Sequence, residues 1–189
     1  MPRLLGLLTV LALVLGPTAP VGAAPSERAA PSRAEWVKDV KRAMKGSDSY
    51  LRERAAAATA GEVVAVNLDI DNSSIASYYD GDDAGAIPRV KRFADLATSL
   101  GVALVFNTGR SNAQRERTLT QLTDAGYPVT LLCLRKRGET IPHGKQRCRD
   151  RFVAKGYTLV ANIGNNPTDF RGTGYEKAFR LPNYRGELG

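Results

Sequence analysis

Histidine, cysteine and aromatic residues are scarce in this chain of 189 residues, which has one His, two Cys and 7% aromatic residues. Two cysteines and one histidine are too few for the four ligands of a usual structural zinc site. Aromatic side chains this sparse do not form the stacking platforms on which single-stranded nucleic acids bind. The composition therefore argues against a zinc-stabilised domain and against dedicated nucleic-acid binding.

The two cysteines, Cys133 and Cys148, lie close together in the sequence. Outside the cell two such thiols can form one disulfide, which would close a short loop. The alternative is a pair of buried free thiols, which pack as small apolar side chains. The single histidine, His143, lies in a basic segment, and we expect it to have no catalytic role.

Long apolar runs are missing as well, except at the N-terminus. There, Arg3 precedes an apolar run over residues 4–15, and the small residues up to Ala23 and Ala24 provide a cleavage site. The run is shorter than the ~20 residues of a membrane-spanning helix. We therefore expect residues 1–24 to be a secretory signal peptide rather than a retained anchor, and the mature protein to be secreted without membrane attachment.

Residues 25–33 mix prolines with charged and small residues and are predicted to form a flexible arm. Residues 34–189 have the length of one domain and contain no repeat and no internal linker. The formal net charge of the chain is +8. That excess fits either a mildly basic secreted protein or one that attracts anionic partners.

Helical periodicity and short β-branched runs alternate along the predicted domain. The predicted helices span residues 34–44, 48–58, 88–101 and 145–155, and a further helix runs to about Ala125 from a cap at Ser111 or Asn112. The predicted strands span residues 63–68, 102–106, 129–134, 158–163 and 177–181. This alternation predicts an α/β fold, a three-layer doubly wound parallel sheet preceded by N-terminal helices. In such sheets ligands bind at the carboxyl ends of the strands.

Two aspartates follow the first predicted strand. Asp69 and Asp71 are two positions apart, so in extended backbone their side chains point to the same side and can enter one pocket. Carboxylates that close repel each other unless a cation or a proton separates them. A divalent cation with oxygen ligands would do so, and a solvated acidic turn is the alternative interpretation of this pair.

Polar residues also follow the other predicted strands. Thr108 and Gly109 come at a predicted helix start, where a hydroxyl and backbone amides can hold a phosphate, although a plain helix N-terminus looks the same. Lys145 begins the helix before the fourth strand, and a lysine in a basic segment is ordinarily a solvated residue. Asp169 follows the fourth strand in a segment whose composition also fits a simple turn.

The order of these residues along the chain resembles the haloacid dehalogenase (HAD) superfamily. More narrowly, it is similar to the secreted acid phosphatases of subfamily IIIB, related to class B bacterial and plant acid phosphatases. The resemblance extends from about Trp36 to Tyr184. It is carried by residues 68–73 (LDIDNS), 106–110 (FNTGR), Lys145 with Arg149, 156–164 (GYTLVANIG) and 181–184 (LPNY). It implies a HAD-like Rossmannoid fold and a hydrolase of phosphate monoesters.

The resemblance implies a role for each matching residue. Asp69 would be the nucleophile and form an aspartyl-phosphate, while Asp71 would protonate the leaving alcohol and then activate water. Thr108 and Gly109 would bind the phosphoryl oxygens. Lys145 would offset the negative charge of the nucleophile and of the phosphate.

The implied cofactor is Mg²⁺. Its ligands would be the carboxylates of Asp69 and Asp169 and the backbone carbonyl of Asp71, with Asn165 as a further candidate. Many relatives have an acidic residue where this chain has Asn165, so we expect a weaker metal site here.

Three other positions depart from the family pattern or from the expected burial. Ser73 replaces a commoner Thr, which is a mild change. Asn67 and Asn107 place amides in strands that should be buried, where they need hydrogen-bond partners. We expect backbone partners for these amides rather than a catalytic role.

The segments between the matching residues are too short for a large cap domain. We therefore expect an open site, with Tyr78, Tyr79 and residues 135–137 near its rim. Such a site would take small phosphorylated substrates, of which nucleotides are one possibility. The sequence predicts no particular oligomeric state.

Two other functions fit the same sequence. A non-catalytic secreted protein on a degenerate HAD fold would bind phosphate or metal without turnover, and Asn165 is the residue that favours this alternative. A protein that binds a polyanionic surface through its positive charge is the other, but the charge is diffuse apart from residues 135–151.

Overall fold

The computed structural model describes residues 30–188, and at its centre five parallel strands form one sheet in the order β3-β2-β1-β4-β5. The strands are β1 (Val63–Leu68), β2 (Ala103–Ser111), β3 (Leu131–Arg135), β4 (Tyr157–Gly164) and β5 (Lys177–Arg180). The predicted parallel α/β sheet is thereby confirmed. The predicted signal peptide and most of the predicted arm lie outside the described residues.

Six α-helices accompany the sheet within residues 30–188, and none of them has the length and apolar character needed to cross a bilayer. They are α1 (Arg33–Ala43), α2 (Ser47–Ala56), α3 (Ser77–Asp80), α4 (Pro88–Ser99), α5 (Arg115–Asp124) and α6 (Ile141–Ala154). The main core packs α1, α2, α4 and α5 against one face of the sheet, and a smaller core packs α6 against the other. This arrangement has the three predicted layers.

Side chains of the strands alternate between the two faces, as extended backbone requires. In β1, Val64 and Val66 contribute to the main core, whereas Ala65 belongs to the smaller core under α6. The same alternation directs Asn67 of β1 and Asn107 of β2 toward the α6 layer. Both asparagines are buried, as predicted.

The first helix begins one residue earlier than predicted because Ser32 caps it. The Ser32 side chain accepts a hydrogen bond from the amide of Glu35, and the Glu35 side chain accepts one from the amide of Ser32. Arg33 forms an ion pair with Asp80 at 2.8 Å, and the carbonyl of Pro31 accepts a hydrogen bond from the Tyr79 hydroxyl. The end of the predicted arm is therefore packed onto the domain.

Two predicted boundaries near the strand ends were wrong. β2 continues to Ser111, so Thr108 and Gly109 lie in a strand and not at a helix start. Ser111 and Gln114 form a capping box for a 3₁₀ turn, which delays α5 until Arg115. α6 starts four residues before Lys145, so this lysine lies one turn inside the helix and not at its first residue.

A disulfide joins Cys133 of β3 to Cys148 of α6, with 5.6 Å between the two Cα atoms. Both residues are buried in the smaller core. Of the two alternatives left open by the sequence, the structure has the bridge. It ties the helix that carries Lys145 directly to the sheet.

We expect removal of this disulfide to destabilise the protein by about 3 kcal/mol, because it closes a loop with a sequence separation of 15. The change is the Cys133→Ala/Cys148→Ala double variant, and the measurement is urea unfolding followed by circular dichroism. Reductant should lower the unfolding midpoint of the parent protein and leave that of the double variant unchanged. Equal midpoints for the parent with and without reductant would contradict the expectation.

Candidate active site

Asp69 lies at the carboxyl end of β1, where the central strand leaves the sheet. Its amide donates to the carbonyl of Ile163 in β4 at 2.9 Å, so the backbone of β1 stays paired to this point. The hydroxyl of Ser74 donates to the Asp69 carbonyl at 2.6 Å. The Asp69 side chain is 8% exposed. Hydrogen bonds to its amide and to its carbonyl hold the Asp69 backbone in place.

Lys145 of α6 places its ammonium between two carboxylates. The Nζ atom donates to Oδ1 of Asp69 at 2.6 Å and forms a short hydrogen bond with Oδ1 of Asp169. Burial alone would lower the pKa of Lys145, but the two carboxylates outweigh it and raise that pKa. Lys145 is only 4% exposed. It is therefore not the solvated surface residue that a lysine in a basic segment ordinarily is.

Asp169 belongs to a 3₁₀ turn, Pro167–Phe170, that follows β4. Its Oδ2 atom accepts a hydrogen bond from the amide of Asn166 at 2.8 Å, which closes a capping box. A Cβ atom at Gly164 would overlap the Asp169 carboxylate, so the side chain reaches Lys145 across a position that must be glycine. The turn is therefore built to hold this carboxylate at the strand end.

Asparagine amides beneath the site hold the backbone of its charged residues. Nδ2 of Asn107 donates to the carbonyl of Lys145 at 2.8 Å, and Nδ2 of Asn162 donates to the carbonyl of Asp169 at 2.8 Å. Asn67 donates in turn to Oδ1 of Asn162. The predicted backbone partner holds for Asn107, whereas Asn67 bonds to another asparagine. Asn162 was missed from the sequence, because one extra residue in β4 between Leu159 and Ala161 shifts the alternation and brings Asn162 opposite Asn67 on the α6 side.

The two buried carboxylates carry more negative charge than Lys145 can balance. Burial and the neighbouring Asp169 raise the pKa of Asp69, against the opposing effect of Lys145. A hard cation at this position would favour the ionised form of both carboxylates. The charge of the site thus fits a divalent metal ion.

The residues of this cluster that could hold such an ion through oxygen atoms are Asp69, Asp169 and Asn165. The Ser73 hydroxyl lies 3.1 Å from Oδ2 of Asp69 and 3.2 Å from Oδ1 of Asn165, which brings the amide close to the carboxylate. Nδ2 of Asn165 is buried and has no hydrogen-bond partner among residues 30–188. Among the described residues the Asn165 side-chain amide is therefore held through its oxygen, by Ser73.

The Asp71 carboxylate does not join this cluster. Both of its oxygens accept hydrogen bonds from Arg110, Oδ2 from Nε at 2.8 Å and Oδ1 from Nη2 at 2.6 Å. Within residues 30–188, no three Asp, Glu, His or Cys side chains come together as a metal cluster. The backbone carbonyl of Asp71 remains the atom of this residue that the family resemblance assigns to the metal.

Arg110 orients Asp71 and was given no role from the sequence. Burial would raise the pKa of Asp71, but hydrogen bonds and charge from Arg110 outweigh it and lower that pKa. Arg110 is itself held by Oε1 of Gln121 at 2.6 Å, whereas the Asp71 side chain is 40% exposed. A signal was available, because Arg110 lies at the carboxyl end of the strand that neighbours β1 and is therefore at the same edge of the sheet.

Thr108 and Gly109 lie at the same edge, in the extended end of β2. Oγ1 of Thr108 accepts a hydrogen bond from the amide of Arg110 at 3.1 Å, and its hydroxyl hydrogen has no acceptor among the described residues. That hydrogen is available for a phosphoryl oxygen. Arg135 donates to the carbonyl of Gly109 at 3.0 Å, so one predicted rim residue does border the site.

The other predicted rim residues differ in position. Tyr78 is 49% exposed, but Tyr79 stacks on Trp36 with 4.8 Å between ring centroids. Its hydroxyl donates to the Pro31 carbonyl at 2.9 Å. Tyr79 therefore fastens α1 to the loop after β1, and its expected place at the rim was wrong.

We expect Asn162→Ala to lower the free energy of unfolding by about 1–3 kcal/mol, because it leaves the Asn67 amide without its acceptor and leaves Arg149 as the one remaining donor to the Asp169 carbonyl among the described residues. Chemical denaturation measures the change. Asn112→Ala, at an exposed position of the 3₁₀ turn after β2, is the matched control and should have little effect. Equal destabilisation by the two substitutions would show that the buried amide does not support the site.

The chain matches the family model described as HAD superfamily, subfamily IIIB (acid phosphatase). The match covers residues 76–187, which is more than half of the chain. The matched segment includes Thr108, Lys145 and Asp169 and begins after Asp69 and Asp71.

Two curated proteins of Glycine max, the stem 28 kDa and stem 31 kDa glycoproteins, are each 28% identical to the chain over 108 residues. The aligned region is 53% of this chain, and 42% and 37% of the two relatives. The chain thus spans about two fifths of the length of the curated relatives it matches.

Two solved structures of the class C acid phosphatase from Bacillus anthracis, one with tungstate bound, superpose on the chain with a TM-score of 0.65. The sequence identities are 20% and 19%, and each superposition covers 80% of this chain and 79% of the other. At this identity the likeness establishes the fold.

Proposed function

Because the chain belongs to the HAD superfamily, subfamily IIIB (acid phosphatase), we propose that it hydrolyses phosphate monoesters with Asp69 as the nucleophile. One observation carries the proposal. The Asp69 carboxylate lies at the end of the central strand, hydrogen-bonded to a buried lysine that also contacts Asp169. A nucleophile, a balancing cation and a second carboxylate at one sheet edge are the parts that such a reaction needs.

In the first step, Asp69 attacks phosphorus and the bond from phosphorus to the leaving oxygen breaks. The leaving alcohol takes a proton from Asp71, and the aspartyl-phosphate remains on Asp69. In the second step, a water molecule attacks phosphorus and gives its proton to Asp71, while the bond from phosphorus to the Asp69 oxygen breaks. Inorganic phosphate leaves and the Asp69 carboxylate is restored. Support comes from the exposed carboxylate of Asp71, which Arg110 orients and whose pKa Arg110 lowers. Asp71 is then protonated mainly at acidic pH, which suits an acid phosphatase.

Charge and position account for the rest of the proposed catalysis. The Lys145 ammonium would interact with the phosphoryl oxygens as well as with Asp69, and the free hydroxyl hydrogen of Thr108 would donate to one of them. Gly109 lets the phosphate approach the backbone of β2 closely, because it has no side chain. Donors fixed in advance in this way stabilise the charge of the transition state.

We also propose Mg²⁺ as the metal. Asp69, Asp169, the carbonyl of Asp71 and the amide oxygen of Asn165 would hold it, and oxygen ligands suit this ion. Bound Mg²⁺ would supply positive charge beside the phosphoryl group. Because Asn165 is neutral, a lower metal affinity is proposed than for a site with an acidic residue there.

Secretion is part of the proposal, with residues 1–24 as the signal peptide. The disulfide between Cys133 and Cys148 supports an oxidising compartment. Among residues 30–188 no separate cap domain covers the strand ends. Small phosphorylated molecules, with nucleotides as one class to test, are therefore the proposed substrates, and 34–189 the proposed single catalytic domain.

We expect steady turnover of an aryl phosphate in the presence of Mg²⁺, and its loss when a chelator is added. Asp69→Asn should reduce the rate on the order of 10⁴-fold, because it removes the attacking oxygen. The matched control is Asp124→Asn, which makes the same change at an exposed position of α5. Release of aryl alcohol, followed by absorbance from acidic to neutral pH, measures both.

Two results would contradict the proposal. The first is turnover that survives Asp69→Asn, which would place the nucleophile elsewhere. The second is no turnover by folded, Mg²⁺-supplied protein on aryl phosphates or nucleotides, which would favour the non-catalytic protein on the same fold.

A further inference from the structure

A basic cavity lies apart from the strand ends, between α1, the start of α2 and the start of α4. We call it the α1–α2 pocket. Its volume is about 520 Å³, and its charged lining consists of Lys38, Lys41, Arg42, Lys45, Arg89 and Asp48. None of the residues placed in the proposed active site lines it.

The first turn of α2 opens into this pocket without a capping side chain. The residue before the helix is Gly46, which adopts a left-handed conformation with φ of 80°. Among the described residues, no hydrogen-bond acceptor serves the amides of Asp48 and Ser49. Free amides at the start of a 10-residue helix favour a bound anion.

Arg89 provides an independent indication of a ligand. It is 9% exposed, and its Nη2 atom donates to the Met44 carbonyl at 3.0 Å, to the Ser47 hydroxyl at 2.6 Å and to Asp48 at 2.7 Å. Its Nη1 atom is buried and has no partner among residues 30–188. A buried guanidinium nitrogen without an acceptor is costly, and the negative charge of an anion in the pocket would stabilise the Arg89 guanidinium.

The charge of the lining exceeds what its own acids can balance. Asp48 pairs with Arg89, and Arg42 pairs with Asp39 at 2.9 Å. The side chains of Lys38, Lys41 and Lys45 have no ion-pair partner among the described residues. Three unpaired ammonium groups around one cavity attract an anion that carries several charges.

We propose that the α1–α2 pocket binds a small oligophosphate anion, such as pyrophosphate or tripolyphosphate, at a site separate from the proposed active site. The volume exceeds what a single phosphate group needs, and the lysines line it on the side of α1. One phosphate group lies at the start of α2 and accepts hydrogen bonds from its free amides and from Arg89. A further phosphate group interacts with Lys41 and Lys45.

The test is a titration of the protein, produced from the full chain, with sodium pyrophosphate, followed by ¹H–¹⁵N correlation spectra. The amides of Asp48 and Ser49 report on the α1–α2 pocket, and the amide of Gly109 reports on the proposed active site. The Lys41→Gln/Lys45→Gln variant should raise the dissociation constant for pyrophosphate, measured at Asp48 and Ser49, by about tenfold, because two charged donors are lost. The response at Gly109 should not change.

The matched control is Arg151→Gln/Lys155→Gln, which removes the same charge from exposed positions around the end of α6. It should leave the dissociation constant at Asp48 and Ser49 as in the parent protein. Arg89 is left intact in these variants, because its bonds to Met44 and Ser47 would mix binding with folding.

Two results would overturn the proposal. If pyrophosphate shifts Gly109 but neither Asp48 nor Ser49, the anion binds at the strand ends alone. If both double variants weaken binding equally, the net charge of the protein and not the pocket is responsible. Phosphatase activity on aryl phosphate is measured separately, so failure of either proposal can be told from failure of the other.

Discussion

The Lys145 ammonium lies between the carboxylates of Asp69 and Asp169, and all three groups are buried. Three elements that are far apart in sequence must meet to form this contact, namely the end of β1, the second turn of α6 and the turn after β4. Each group alone would be costly to remove from water, and together they offset most of that cost. The rest of the site depends on keeping them in place.

Much of the surrounding structure serves that purpose. Asn107 and Asn162 hold the backbones of Lys145 and Asp169 from below, and the disulfide holds α6 against β3. Gly164 leaves the space through which the Asp169 side chain passes. The polar residues inside the sheet thus hold the backbone of the charged residues in place. This role explains why an otherwise apolar core contains them.

The charge of the cluster also explains its proposed chemistry. One lysine faces two carboxylates, and the raised pKa of Asp69 reflects the unbalanced negative charge. A divalent cation would restore the balance and keep Asp69 ionised, as a nucleophile must be. Asp71 differs because Arg110 occupies both of its oxygens and holds it at the open side of the site. Two aspartates two residues apart are therefore suited to different roles.

The sequence predicted the strand-end residues well because their positions follow from the period of the strands and the direction of a parallel sheet. Asp69, Thr108 and Asp169 lie where that reasoning places them. The pairing of Asp71 with Arg110 could not be predicted in this way, because it depends on side-chain directions across two strands. The true ends of β2 and the true start of α6 depended on local hydrogen bonds and on Pro142, which compete with periodicity.

The measurement that tests the account most directly is chemical trapping of the intermediate. Protein supplied with Mg²⁺ and an aryl phosphate is quenched during turnover with sodium borohydride, which reduces an acyl phosphate to an alcohol. Peptide mass spectrometry should then find homoserine in place of Asp69, because that carboxylate carries the phosphoryl group. An unmodified Asp69 in protein that is turning over, or homoserine at Asp71 instead, would contradict the account.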